Sequence, residues 1–205
     1  MLKSYELIEK IKDNVLLVKN LKDEQLIVKT YSKDSNEYST IYLHEIKALE
    51  KLVHQNVVKI EKSEEDEDNY YLLFKFIQGE TISSSFRNLN SDREKYNFLK
   101  TINKLLDALN YIHLNNYTHN DLKPNNIIVN YNKEPYILDF GTATISNTIT
   151  KSVSELSLWY ASPEQKNNLD VDLRSDFYSL GVTIIETLVE EQLFEKFIEK
   201  KISIE

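Results

Sequence analysis

Between residues 5 and 30 the apolar positions arrive in three short bursts, YELIEKI, NVLLVKN and EQLIVKT, which predict strands; Lys-Asp-Glu between the last two reads as a tight turn. From Ile41 to Val53 the period changes. Ile41, Leu43, Ile46, Leu49, Leu52 and Val53 recur at helical spacing and predict an amphipathic helix. NVVKI predicts a further strand, EKSEEDEDN (61–69) a solvated turn, and YYLLFKFI a buried strand ending at Gly79. Beyond it helical period dominates. Phe98, Ile102, Leu105, Leu109 and Ile112 mark one long helix over 92–115, and a second falls around 175–190. A strand-rich first part and a helix-rich second part predict an α+β, bilobal architecture joined near Ile77–Gly79.

Composition narrows the classes. Hydrophobic residues make up 41% and aromatics 11% of 205 residues, enough to bury a core. The formal net charge is −8, so a general nucleic-acid binder is disfavoured by repulsion from the phosphate backbone. With no Cys, a disulfide scaffold and cysteine-based zinc sites are excluded. The N-terminus is too charged for a signal peptide, and the most apolar stretch, Leu180–Val189, contains Glu186 and is too short for a bilayer span. The expectation is a soluble, cytoplasmic protein with no membrane or nucleic-acid partner. The Lys196–Lys201 cluster reads as a solvated tail.

Chemistry concentrates in His119-Asn120-Asp121-Leu122-Lys123-Pro124-Asn125-Asn126. An Asp followed five residues later by Asn, on a loop entering a strand, can place two oxygen ligands around one pocket, and Lys123 can reach the same pocket. Further on, YIL delivers Asp139-Phe140-Gly141, a second carboxylate at a strand end. This set suits phosphoryl transfer: a carboxylate orients a hydroxyl, oxygens hold Mg²⁺, and an ammonium neutralises phosphate.

HNDLKPNN resembles the catalytic loop of the eukaryotic-type serine/threonine protein kinases. Asp139-Phe140-Gly141 matches the family's D-F-G, and Ser162-Pro163-Glu164 its A-P-E. LIVK resembles V-A-I-K, HEIKALEKLVHQNVVKI the regulatory helix and next strand, and SDFYSLG (175–181) the central helix of the second lobe. The resemblance runs from about Tyr5 to Phe194. It implies a single kinase-like domain over 1–205, with a small β-rich lobe over about 1–77 and a shortened helical lobe over 78–205.

It also implies roles. Asp121 would accept or orient the substrate hydroxyl, and Lys123 would contact the transferred phosphate. Asn126 and Asp139 would hold Mg²⁺. Lys29 would bind the α/β-phosphates of ATP and pair with Glu45. Adenine would lie between Ile27 above and Ile128 below, with Phe74 as gatekeeper and the main chain of Lys75 and Ile77 alongside. Ser157 would buttress Asp121 and Lys123. Leu49, Ile60, His119 and Phe140 would stack as a spine between the lobes. His113 matches a family position and reads as structural. The acceptor would be a protein Ser or Thr, because Lys rather than Arg follows Asp121 on the loop.

The departures set further expectations. IKDNVLLV (11–18) occupies the place of the glycine-rich loop with no Gly, so phosphate coverage falls to lobe closure and main-chain N–H groups of residues 12–17. Asn120 replaces the family's Arg, leaving Thr148, Thr150, Ser152 and Ser154 without that arginine for a phosphorylated loop. Little chain follows the central helix, so Glu164 lacks the arginine of the later helices, and an apolar face is left for a partner or self-association. The alternative reading is a pseudokinase, a nucleotide- or partner-binding module. A small-molecule phosphotransferase fits less well, because Lys123 and Ser162-Pro163-Glu164 belong to peptide-substrate kinases.

Overall fold

The three early apolar bursts form strands β1 (Glu6–Lys12), β2 (Val15–Lys19) and β3 (Gln25–Ser32). With β4 (Ile60–Glu65) and β5 (Asn69–Lys75) they make an antiparallel five-stranded sheet in the order β1-β2-β3-β5-β4. The computed structural model describes residues 4–145, 148–149 and 158–202; Thr150, Ser152, Ser154 and Ser157 lie outside them. Alternation divides the sheet's faces. Val18, Val28, Tyr71 and Leu73 cluster on one side, while Tyr31, Leu72 and Phe74 join the main core on the other. Strand β1 is exposed along its length, carries Glu6, Glu9, Lys10 and Lys12, and is bulged against β2. Charge and bulges of this kind keep an edge strand from pairing with another chain.

Two local expectations are corrected here. The charged run after Ile60 is strand β4 as far as Glu65, because an edge strand tolerates exposed Glu and Lys; the turn is confined to residues 66–68. NVVKI is not one strand: Val57 makes a single bridge to Ile137, and regular pairing starts at Ile60.

Helix α1 (Asn36–Lys51) packs on the core face of this sheet and begins five residues before the predicted start. Its cap is Ser35, whose side chain accepts from the Tyr38 N–H, and its polar first turn hides the start from an apolar-period reading. Residues 76–78 then lead to β6 (Gly79–Thr81) and the short helix α2 (Ile82–Ser85). Gly79 is required by close approach: a Cβ there would lie 2.3 Å from the Val129 carbonyl oxygen.

The second part is built on α3 (Asp92–Leu114), started by a capping box between Ser91 and Glu94 and burying Phe98, Leu105, Leu109 and Ile112. Strand β7 (Tyr117–Thr118) leads to the candidate loop, then β8 (Ile127–Asn130) and β9 (Pro135–Ile137). Strands β6, β8 and β9 form a three-stranded sheet. Short strands β10 (Thr144–Ile145) and β11 (Thr148–Ile149) pair with β7 and with β12 (Asp170–Val171), and helix α4 (Pro163–Lys166) lies between β11 and β12 in the chain.

Helix α5 (Leu173–Leu188) buries Ser175, Asp176, Ser179 and Leu180. The predicted solvated tail is instead helix α6 (Glu191–Ile202): Phe194 and Ile198 are buried with Val182 of α5, against Tyr160 and Tyr178. Its Lys residues disguised an apolar stripe of helical spacing. One core runs through both parts, from Tyr31, Leu49 and Phe74 to Leu105, Leu109, Phe140 and Leu180. The architecture is bilobal, with a short helical lobe. Among the described residues no helix is long and apolar enough to cross a membrane.

Candidate active site

Pairing of β3 with β5 and packing of α1 place a chain of charges at the junction of the lobes. Lys29 Nζ lies 2.7 Å from Glu45 Oε1 and 2.9 Å from Asp139 Oδ1. Glu45 is fully buried, one helical turn before Leu49 on the core face of α1. Burial opposes charge on Lys29, but Asp139 and Glu45 outweigh it and raise the ammonium above its ordinary pKa. The neighbouring Lys29 charge, with smaller help from His119 and Lys12, lowers the Asp139 carboxyl to about 2 against its burial. Asp139 adopts φ 63°, and Asn120 φ 69°. Left-handed backbone at non-glycine residues costs free energy and tends to collect at functional sites.

A residue absent from the sequence-based set completes this cluster. Tyr31, two positions beyond Lys29 on the same face of β3, donates its hydroxyl proton to Glu45 Oε2. Both oxygens of a carboxylate removed from water are therefore satisfied, one by an ammonium and one by a phenol. Burial first, and the Glu45 charge second, push the Tyr31 phenol well above its usual pKa, so it remains a donor. Tyr31→Phe keeps the ring and removes the donor. Urea denaturation should show a loss of about 1.5–3 kcal/mol, the scale of a hydrogen bond to a charged group. A difference below about 0.5 kcal/mol, the range of neutral surface substitutions, would refute that role.

The second cluster hangs from α5. Fully buried Asp176 accepts the main-chain N–H of His119 at 2.8 Å and of Asn120 at 2.9 Å, and its Oδ2 lies 2.9 Å from His113 Nε2. Gln165 of α4 donates to the Asn120 carbonyl at 2.8 Å. The Asn120 side chain donates to the Thr142 carbonyl at 3.0 Å and to Thr144 Oγ1 at 2.9 Å, tying the loop to the segment after Gly141 without a guanidinium. Glu164 accepts from Ser175 Oγ, a neutral partner supplied by α5.

Held in this way, Asp121 meets its neighbours directly. Lys123 Nζ donates to Asp121 at 2.7 and 3.0 Å, and Asn126 Nδ2 donates to Asp121 Oδ2 at 2.9 Å and to the Asp121 carbonyl at 2.8 Å. With its amide nitrogen so engaged, Asn126 is left with Oδ1 to offer as a ligand oxygen.

Between the clusters lies a cavity of about 250 Å³. Ile27, Phe74, Ile77 and Ile128 form its apolar lining, next to Lys75; Lys29, Glu45, Asn126 and Asp139 line its charged end. Asp121 and Lys123 are not in the lining; they stand beside Asn126. The cavity is just below the ~300 Å³ at the low end of small-ligand sites, in keeping with the bulk of Ile27 and Phe74. Of the four expected spine residues, His119 and Phe140 meet directly, with their rings 4.8 Å apart, and Leu49 and Ile60 belong to the same core cluster as Phe140.

The donor set fits a hard divalent cation. Asn126 Oδ1 and the Asp139 carboxylate are oxygen donors at one cavity end, and Mg²⁺ needs only one or two protein oxygens beside phosphate and water. Among the described residues no group of three or more His, Asp or Glu forms a self-sufficient metal cage.

Residues 12–204 match the protein kinase domain family. Serine/threonine-protein kinase PrkC of Bacillus subtilis is 32% identical over 161 residues, which cover 77% of this chain and 24% of that protein. Mitogen-activated protein kinase 5 of Arabidopsis thaliana is 34% identical over 182 residues, 83% of this chain and 47% of the relative. Tyrosine-protein kinase MasK of Myxococcus xanthus is 26% identical over 174 residues, 78% and 27% respectively. The matched part spans about a quarter of the length of PrkC and of two further bacterial serine/threonine kinase relatives.

Proposed function

The chain belongs to the protein kinase domain family, and on that premise we propose that it transfers the γ-phosphoryl group of ATP, with Mg²⁺, to Ser or Thr hydroxyls of a protein substrate. The observation that carries the reading is the Lys29–Glu45–Asp139 chain at the charged end of one cavity, with Asp121 and Lys123 joined to the same end through Asn126. A scaffold has no chemical reason to assemble both.

In this mechanism Asp121 orients the acceptor hydroxyl and receives its proton as the new phosphorus–oxygen bond forms and the bond to the ADP oxygen breaks. Lys123, on the same carboxylate, meets the transferred group. Lys29 is held towards the α/β-phosphates by Glu45, itself fixed by Tyr31. Asn126 and Asp139 hold Mg²⁺, which when bound neutralises charge on the phosphates. Ile27, Phe74 and Ile128 enclose the base, beside the main chain of Lys75 and Ile77. Serine or threonine as acceptor rests on Lys123.

A second reading, a pseudokinase acting as a binding module, is favoured by the glycine-free hairpin between β1 and β2 and by the narrow cavity. Titration with ATP in the presence and absence of Mg²⁺ tests the metal assignment. Mg²⁺ should strengthen binding, and Asp139→Ala should remove most of that gain. Equal affinity under both conditions in wild type would contradict the assignment and favour the second reading.

A further inference from the structure

A kinase hairpin of the form G-x-G-x-x-G-x-V covers nucleotide phosphates with main-chain N–H groups. Here the corresponding hairpin closes tightly. Lys12 pairs with Val15, so Asp13 and Asn14 alone form the tip. Strand β2 lies between β1 and β3, and its residues are paired on both sides, Val15 with Lys12 and Lys29, Leu16 with Lys10 and Val28. Main-chain donors from residue 15 onward are committed to those ladders. What remains for a cradle is the two-residue tip, and both residues carry a Cβ.

The same register sets Lys12 at the charged end of the cavity, where it lines the wall with Lys29, Asn126 and Asp139. Lys10 is engaged by Asp13 at 2.8 Å, which also neutralises the acidic group at the tip. The Lys12 side chain makes no hydrogen bond or ion pair among the described residues, although its charge acts on Asp139. An exposed ammonium on a flexible four-carbon stem, beside the cavity end that already holds Lys29, is suited to phosphate oxygens. We propose that Lys12 is a phosphate-binding residue that replaces the absent main-chain cradle, so that the charged end of the cavity grips the ATP phosphates with two lysines, Lys29 of β3 and Lys12 of the hairpin. This rests on the nucleotide-binding reading above.

Calorimetric titration of ATP, ADP and adenosine against wild type, Lys12→Ala, Lys12→Arg and Lys10→Ala tests it, at low and high salt. Lys12→Ala should weaken ATP and ADP by about tenfold to a hundredfold, the scale of one lost charge-assisted hydrogen bond. Adenosine should bind it as it binds wild type. Lys12→Arg should keep most of the affinity, Lys10→Ala all of it, and the wild-type advantage over Lys12→Ala should shrink as salt screens the attraction. Unchanged ATP affinity in Lys12→Ala, or an equal loss for adenosine, would overturn the inference while leaving the nucleotide-binding reading in place. If wild type binds none of the three ligands, both fall together.

Discussion

Asp121→Ala should lower phosphoryl transfer by about 100-fold or more, the contribution typical of one positioned acid–base group, while ATP binding stays close to wild type. The split follows from the geometry. Asp121 lies outside the lining of the cavity, and its carboxylate is held by Lys123 and Asn126 rather than by any of the apolar residues that line it. Two side effects are expected: Lys123 and Asn126 lose their shared acceptor, and the cavity end proposed to hold Mg²⁺ loosens. A modest fall in metal-assisted affinity is therefore compatible with the assignment. Turnover within a few-fold of wild type is not.

The second large effect concerns folding of the loop that carries Asp121. Asp176→Ala removes the acceptor for two buried main-chain N–H groups, those of His119 and Asn120, and the partner of His113. Each buried donor left without an acceptor costs about 1–3 kcal/mol, which puts the expected destabilisation at about 2–6 kcal/mol. Asp176→Asn, which keeps one oxygen, should fall between the two. Thermal and urea unfolding of the three proteins measures this directly. A melting temperature for Asp176→Ala within about 2 °C of wild type, less than 1 kcal/mol commonly produces, would show that α5 does not support the loop. Activity should fall with stability in Asp176→Ala, whereas Asp121→Ala should lose activity with its fold intact, so the pair separates a positioning residue from a chemical one.

Much of this site was legible in the sequence because its residues are local. Asp121, Lys123 and Asn126 lie within six positions, and Asp139-Phe140-Gly141 follows one short hairpin later. The long helices were legible because a 3.6-residue apolar period survives wherever one face is buried. What escaped depends on long-range pairing or on charge that masks a pattern. Strand β4 reads as a solvated run because an edge strand leaves Glu61, Lys62 and Glu65 in water. Helix α6 hides Phe194 and Ile198 among lysines and glutamates.

Tyr31 could have been singled out by strand alternation from Lys29, but its partner, Glu45, is fixed only by the packing of α1. Likewise, the absence of glycine between residues 11 and 18 was plain, whereas the closure of the hairpin to two residues is a matter of register. A one-residue slip would turn Lys12 away from the cavity.

The central claim is that the two clusters around the cavity perform chemistry and do not merely persist as a fold. Incubation of the purified protein with γ-labelled ATP and Mg²⁺, alone and with generic acceptor proteins, beside Asp121→Ala, tests it most directly. Label on Ser or Thr in the wild-type reaction, at least about 100-fold above the Asp121→Ala reaction, is the result predicted. Equal background label from both proteins on every acceptor, with ATP still bound by each, would contradict it.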